Sequence, residues 1–292
     1  MSEFLQQLVN GLSLGSIYAL IALGYTMVYG IVGLINFAHG DVYMIGAYVG
    51  YAVTRYTGFG FIPALLIAMI TCAILGFLIE RIAYRPLRNS TRIAALITAI
   101  GVSLLLEYTM MYFVGAQVRT YPRVLNNQFF YVGDVRITSQ QIIVVVVSIV
   151  LMILLQFIVQ KTRQGRAMRA VSYDKDTAQM MGIDVNWTIS FTFLIGSALA
   201  GAAGVLVGIY YNSIDPLMGM MPGLKAFVAA VFGGIGSIPG AMIGGLSIGI
   251  IETFVAGSGY SLYRDAAVFA ILILVLLFRP QGLMGKKKGD KA

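Results

Sequence analysis

Long, nearly uncharged apolar segments are the feature that most constrains the fold of this chain. They lie near residues 11–31, 40–55, 61–80, 93–114, 141–160, 188–211, 222–235 with 240–256, and 265–279. A helix needs roughly 20 residues to cross a bilayer core about 30 Å thick. Only 11% of the residues are charged, whereas soluble domains carry about 25%. The sequence therefore predicts an all-α polytopic membrane protein, a single domain over 1–292 with about eight transmembrane helices.

Two apolar regions are interrupted by short polar or glycine-rich stretches, "NFAHGD" at 36–41 and "GGIGSIPG" at 233–240. Irregular backbone inside a membrane is tolerated only where protein buries it or water reaches it, and transporters place broken helices around a central pathway. We expect helix breaks near 33–41 and 233–240, packed against a translocation pathway or its gate. The residues assigned to this role are Asn36, Phe37, His39, Gly40, Gly234, Gly236 and Pro239. The stretches around Gly40 and Gly240 are faintly alike, which suggests an internal repeat.

Metal and nucleotide chemistry find little support in the residues. The chain has one histidine, His39, and one cysteine, Cys72, and a lone His without a Cys or carboxylate cluster does not make a metal site. The glycine-rich stretch at 233–240 lacks the Gly-Lys-Ser/Thr ending of a phosphate-binding loop. We therefore expect no metal, no cofactor and no catalytic residues, and any ATP-derived energy has to come from another polypeptide.

The basic residues indicate the orientation of the chain. Of the twenty Lys and Arg, fourteen fall in three segments that alternating spans place on one side, the cytoplasm by the positive-inside rule. They are Arg81, Arg85, Arg88, Arg92, Lys161, Arg163, Arg166, Arg169, Lys175, Arg279, Lys286, Lys287, Lys288 and Lys291. Such clusters between apolar runs indicate topology and lipid contact, not nucleic-acid binding. The N-terminus and the loop 115–140 are then external, with a hairpin turn predicted at Gly133-Asp134.

A charged insert at 161–187, predicted to be a cytoplasmic loop, separates the fifth and sixth spans. Its spacing predicts an amphipathic helix from Gly165 to Met181 that ends at Gly182. One interpretation is a helix lying at the lipid headgroups with its arginines facing anionic lipid. The other is a lever that passes the movement of a soluble partner into the membrane.

Three stretches carry a family resemblance: "RQGRAMRAVSYDKDTAQMMGI" at 163–183, "GYTMVYGIVGLINFAHGDVYMIGAYV" at 24–49 and "GLKAFVAAVFGGIGSIPGAMIGG" at 223–245. Over nearly its whole length the chain resembles permease subunits of branched-chain amino acid ABC importers, in particular the smaller permease of the high-affinity leucine/isoleucine/valine system. The resemblance implies a bacterial inner-membrane location, a second homologous permease forming a heterodimer, two cytoplasmic ABC ATPase subunits and a periplasmic substrate-binding protein. It assigns ATPase coupling to Gly165, Arg166, Arg169, Asp174, Ala178, Met181 and Gly182.

Three ionisable residues, Glu107, Lys225 and Glu252, lie inside or at the edge of spans, where such residues are rare and often functional. Lys225 and Glu252 both fall toward the outer end of their spans, so the first expectation is a structural ion pair. Glu107 could hydrogen-bond a helix break.

Two other functions stay open from the residues. A permease of the same family for urea or a short-chain amide would look similar, since the external binding protein largely selects the solute. An ion-coupled secondary transporter would need buried acidic or His residues in mid-span to carry the ion, for which Glu107 and Glu252 are the candidates. The charged insert would then be unexplained, so the importer permease is favoured.

Overall fold

The computed structural model describes residues 2–33, 35–88 and 90–285, and only the backbone of Arg92. Within these residues seven helical segments are long and apolar enough to cross a membrane, and α2 and α9 are shorter. The predicted fold, a polytopic helical bundle with about eight spans, is confirmed. Lys286, Lys287, Lys288 and Lys291 of the predicted basic tail lie outside the described residues.

The predicted breaks fall where expected, between α1 and α2 and between α9 and α10. The helices are α1 (Ser2–Val32), α2 (His39–Ala52), α3 (Phe61–Ile79), α4 (Arg92–Val114), α5 (Ser139–Lys161), α6 (Arg163–Tyr173), α7 (Lys175–Met180), α8 (Val185–Tyr211), α9 (Met220–Gly233), α10 (Ile238–Gly257) and α11 (Arg264–Phe278). π-helical turns extend α2 over Val53–Thr57 and α3 over Glu80–Tyr84, and single 3₁₀ turns follow at Arg85–Leu87 and Ser261–Tyr263. The strands are β1 (Arg119–Thr120), β2 (Phe129–Val132), β3 (Val135–Thr138) and β4 (Ser213–Ile214).

Two long helices, α1 and α8, form the centre of the bundle and are apolar and buried on nearly all sides, as a helix surrounded by other helices must be. They approach closely because Gly24 of α1 meets Gly196 of α8 backbone to backbone. Gly204, eight residues further along α8, has the same role, since it packs on the α2 backbone. Small residues at these crossings allow the close packing that helix association in a membrane depends on.

The order of a long, a short and two further helices occurs twice, as α1–α4 and as α8–α11. Helices α2 and α3 pack mainly on α8, while α9 and α10 pack on α1. Since α10 runs antiparallel to α1 and α3 antiparallel to α8, the two halves run in opposite directions. This is the inverted repeat found in many transporter folds, and it relates α2 to α9, so the counterpart of Gly40 is the start of α9 and not Gly240.

The two ends of the bundle are distinguished by their loops. At one end the Gln6 side chain hydrogen-bonds both the N–H and the carbonyl of Arg136, so the start of α1 lies beside the β2–β3 hairpin; we call this end the hairpin face. At the other end Lys175 Nζ donates to the Val32 carbonyl at 3.2 Å, which places the charged insert beside the end of α1. We call this end the insert face.

The loop 115–140 contains the predicted hairpin, because β2 and β3 pair antiparallel around a turn at Gly133 and Asp134. The prediction of one helix over the insert is wrong: α6 ends at Tyr173 and α7 begins at Lys175. Asp174 causes the break, since its carboxylate accepts the N–H groups of Asp176 and Thr177 as an N-cap. The predicted stop at Gly182 is confirmed, with a left-handed φ of +80°.

Candidate functional site

The start of α2, which follows the first predicted break, meets the start of α9, which follows the connection from α8, inside the bundle. An ideal Cβ built on Gly40 would lie 2.5 Å from the Gly219 carbonyl oxygen and 3.3 Å from Gly223 Cα. The His39 ring fills the space beside Gly24 and packs on the Tyr25 ring with centroids 4.8 Å apart. Of the two gate candidates in this region, Gly40 therefore lies in a backbone-to-backbone contact that only glycine permits, and His39 packs through its buried ring.

The other residues predicted for the pathway lie nearer the insert face. The buried Asn36 side chain accepts a hydrogen bond from the Tyr84 hydroxyl at 2.8 Å, and Phe37 packs against Phe227 of α9. Gly236 approaches Gly30 of α1.

The remaining two pathway candidates, Gly234 and Pro239, differ from each other in their surroundings. Gly234 is held at a φ of +107° against the backbone of Met284 and Gly285, while Pro239 is exposed in the first turn of α10. The two breaks meet here, because Ile35 and Ile235 line the same narrow crevice.

Glu107 of α4 faces the start of α2. Its carboxyl lies close enough to the carboxyl of Asp41 to interact with it electrostatically, and Ser103 lies beside the same Asp41 carboxyl. Asp41 and Glu107 are 2% and 8% exposed. Glu107 thus lies where α4 meets the helix that follows the first break.

Four charged side chains form a network within α9, α10 and α11. Lys225 Nζ lies 2.6 Å from Glu252 Oε1 and 2.6 Å from Asp265 Oδ1, and the Tyr18 hydroxyl donates to Glu252 Oε2 at 2.9 Å. The Nε of Arg264 is more distant, 3.9 Å from Glu252 and 3.5 Å from Asp265. The structure thus pairs Lys225 with Glu252, while Asp265 and Tyr18, which carry no distinctive sequence signal, were missed.

A cavity of about 370 Å³ opens beside this network at the hairpin face. Its floor is the buried Glu252, and its rim holds the exposed side chains of Tyr211 and Arg264. Gln7, Asn10 and Tyr210 also line it. Small-molecule sites are typically concave, a few hundred Å³ in size, with a few placed polar groups on an apolar lining. We call this the hairpin-face cavity.

A second polar network lies at the insert face and was also missed. Arg88 donates to Glu80 and, at 2.6 Å, to the Asn186 side chain, while Ser190 Oγ donates to the other Glu80 oxygen at 2.5 Å. Since Asn186 and Ser190 begin α8 directly after the insert, the network joins the insert to the connection between α3 and α4. A glutamate at the end of an apolar run, before Arg81, is the sequence signal that could have found it.

The structure divides the seven residues assigned to ATPase coupling into two groups. Gly165 and Ala178 are buried, Asp174 and Gly182 shape the ends of α7, and Arg169 donates to the Val159 carbonyl at the end of α5. The side chains presented outward are those of Arg166, Arg169 and Met181.

Two further residues of the insert were missed, Tyr173 and Met180, which with Met181 are 79–87% exposed. We call Arg166, Tyr173, Met180 and Met181 the insert patch. An exposed cluster of large apolar side chains on a charged helix pair is typical of an interaction surface.

Comparison with known proteins identifies relatives over the full length. Residues 7–277 match the family model described as branched-chain amino acid transport system / permease component. The chain is 46% identical to the high-affinity branched-chain amino acid transport system permease protein BraD of Pseudomonas aeruginosa, over 99% of this chain and 98% of that protein. It is 46% identical to the permease protein LivH of the corresponding Escherichia coli K12 system, over 99% and 97%. Among solved structures, PsaBC from Streptococcus pneumoniae in complex with Fab shares the fold, with a TM-score of 0.51 at 15% identity, covering 95% of this chain and 92% of that one.

Proposed function

Since the chain belongs to the family of branched-chain amino acid transport permease components, we propose that it is the membrane-spanning subunit of an ABC importer for leucine, isoleucine and valine. The chain is a multi-pass protein of the inner membrane. The observation that carries the proposal is the 46% identity over 99% of the chain to high-affinity permeases for these solutes. The subunit moves the solute, and ATP hydrolysis takes place on separate subunits.

The proposed orientation puts the insert face in the cytoplasm and the hairpin face outside. The basic residues at the insert face support this, with Arg81, Arg85 and Arg88 joining those of the insert. A periplasmic substrate-binding protein would then deliver the solute to the hairpin face. A second, homologous permease would complete the membrane assembly as a heterodimer.

Coupling to two ABC ATPases is proposed to run through the insert patch. The insert is anchored where a push would be transmitted: Lys175 holds the end of α1, and α6 packs on α5, α1 and α8. From there the contact of Arg88 with Asn186 reaches the α3–α4 connection, whose Tyr84 holds Asn36 beside the first helix break. A displaced insert can therefore act on the break as a connected body, which is how rigid elements pass on partner movement.

Co-purification of tagged variants tests the coupling. Tyr173→Asp combined with Met180→Asp places two charges on the insert patch, and we expect the ATPase subunits to be lost from the purified assembly while the permease still inserts. The matched control is Tyr131→Asp, which is 68% exposed on β2 at the opposite face, and should retain them. Full ATPase retention by the double variant would show that the insert patch faces lipid or solvent instead.

Reconstituted uptake tests the solute. Proteoliposomes holding the complete assembly and its binding protein should take up labelled leucine when ATP is supplied on the insert side, and should not take up labelled urea or acetamide. ATP-independent uptake driven by an ion gradient would instead support a secondary transporter and would refute the proposed function.

A further inference from the structure

The hairpin-face cavity lies where a solute released outside the cell would first meet this subunit. It is bounded by the hairpin-face ends of α1, α8 and α10 and the start of α11. Its floor, Glu252, is 3% exposed, whereas the Arg264 side chain at the rim is 52% exposed. A small molecule entering the cavity would therefore pass a guanidinium before it reaches a buried carboxylate.

The charges of the cavity suit a zwitterion. Glu252 already accepts from Lys225 and Tyr18, but a carboxylate has about four lone-pair sites and can accept further bonds. Arg264 has its nearest carboxylate oxygens at 3.5 and 3.9 Å from Nε, beyond the length of a good hydrogen bond. Its planar fork matches a carboxylate with two parallel bonds. With Lys225 and Asp265 included, the network is formally neutral, so a ligand without net charge leaves its balance intact.

The rest of the lining combines apolar surface with amide and hydroxyl groups in about equal parts. Leu14, Ala256 and the rings of Tyr210 and Tyr211 face the cavity, together with Asn10. An aliphatic side chain placed against these groups is removed from water, which favours its binding in proportion to the apolar area buried.

We propose that the hairpin-face cavity is a transit site for a free α-amino acid with an aliphatic side chain. The ligand carboxylate binds Arg264, its ammonium group binds Glu252, and its side chain packs on Leu14 and the tyrosine rings. The inference rests on the proposed function for the identity of the solute. Binding is weak enough to allow release, as passage through a transport site requires.

Thiol protection tests the site without relying on uptake. Thr253 lines the cavity, and the one natural cysteine, Cys72, is fully buried, so Thr253→Cys gives this chain one reactive thiol. We would measure its labelling by a membrane-impermeant maleimide in the purified assembly while titrating L-leucine. Leucine at about four times its dissociation constant leaves about one fifth of the sites free, so labelling should slow about fivefold. Ser258→Cys, exposed just beyond the end of α10 and outside the cavity, should show no slowing.

Ligand and charge variants decide which groups bind. Isoamylamine, which lacks the carboxylate, should protect far less than leucine at equal concentration. Protection should be lost when Arg264→Gln is added to Thr253→Cys, and should be weakened less with Arg264→Lys, which keeps the positive charge but not the two parallel bonds. Unchanged labelling up to the solubility limit of leucine, protection that survives Arg264→Gln, or equal protection by isoamylamine would each overturn the proposal. A variant counts as folded when it purifies with the same subunits and when Ser258→Cys, placed in that variant, is labelled at an unchanged rate. A failure of leucine uptake by the unsubstituted assembly would count against the proposed function instead.

Discussion

Replacing Gly40 by alanine tests the contact between the two halves of the inverted repeat, α1–α4 and α8–α11. The added Cβ would lie 2.5 Å from the Gly219 carbonyl oxygen, whereas the closest comfortable C···O approach is about 3.3 Å, so the starts of α2 and α9 have to separate by roughly 0.8 Å. Overpacking a close-packed interior costs about 1–3 kcal/mol. Since replacing a helical glycine gains up to about 1 kcal/mol, we expect Gly40→Ala to lose up to about 2 kcal/mol of stability.

The matched control is Gly101→Ala on α4, where an added Cβ meets nothing within 4 Å. That variant should gain up to about 1 kcal/mol from helix propensity alone. The gain in helix propensity is common to both variants, so their stabilities differ by about 1–3 kcal/mol, or by at least about 2 °C in melting temperature for a chain of this size.

The assay is thermal unfolding of the purified chain in detergent, followed with a dye that fluoresces on reaction with a thiol. Cys72 is fully buried between α3 and α8, so the dye reports loss of the core. The control variant is measured beside it under identical conditions. Melting temperatures that coincide for Gly40→Ala and Gly101→Ala would refute a rigid contact between the starts of α2 and α9.

Three further changes have outcomes that follow from single interactions. Lys225→Met leaves two carboxylates in the bundle without their nearest cation and should cost about 3–5 kcal/mol of stability. The loss is measured in the same dye assay, and adding Glu252→Gln should recover most of it. Equal melting temperatures of the single and double variants would contradict this. Arg88→Met strands the fully buried Glu80 and should slow uptake more than Arg88→Met with Glu80→Gln, because only the single variant keeps an uncompensated charge; equal uptake rates would refute it. Asp174→Ala removes the N-cap of α7, which costs that helix about 1 kcal/mol of stability. The variant should retain less ATPase on purification without a lower melting temperature of the core. A shifted melting temperature would argue against a role confined to the insert.

The opposed directions of the two halves have a consequence for transport. Helices α2 and α9 start inside the bundle from opposite faces, so each half has an irregular segment before its short helix. The break before α2 is linked to the insert through Asn36, Tyr84 and the Arg88 network. The start of α9 lies near the Lys225 network at the hairpin face. Movement of one half against the other would therefore change both faces together.

Part of the candidate site was predictable from single residues. The breaks at 33–41 and 233–240 show in the sequence because glycine and polar residues interrupt an apolar run. The ion pair of Lys225 and Glu252 was expected because both lie toward the same membrane face. The helix end at Asp174 is a local signal that was missed: an aspartate three residues before a threonine can cap a new helix.

The sequence by itself determined that the chain crosses a membrane, where its helices break and which loops are basic, because each depends on residues near one another along the chain. It also showed that the charged insert, which lies between two spans, is too polar to lie within the lipid. Only the tertiary structure decided which breaks meet, since the contacts of Gly40 with Gly219 and of Asp41 with Glu107 join residues far apart in sequence. The hairpin-face cavity also depends on the tertiary structure, because four helices contribute its lining and no single helix contains all of the lining residues.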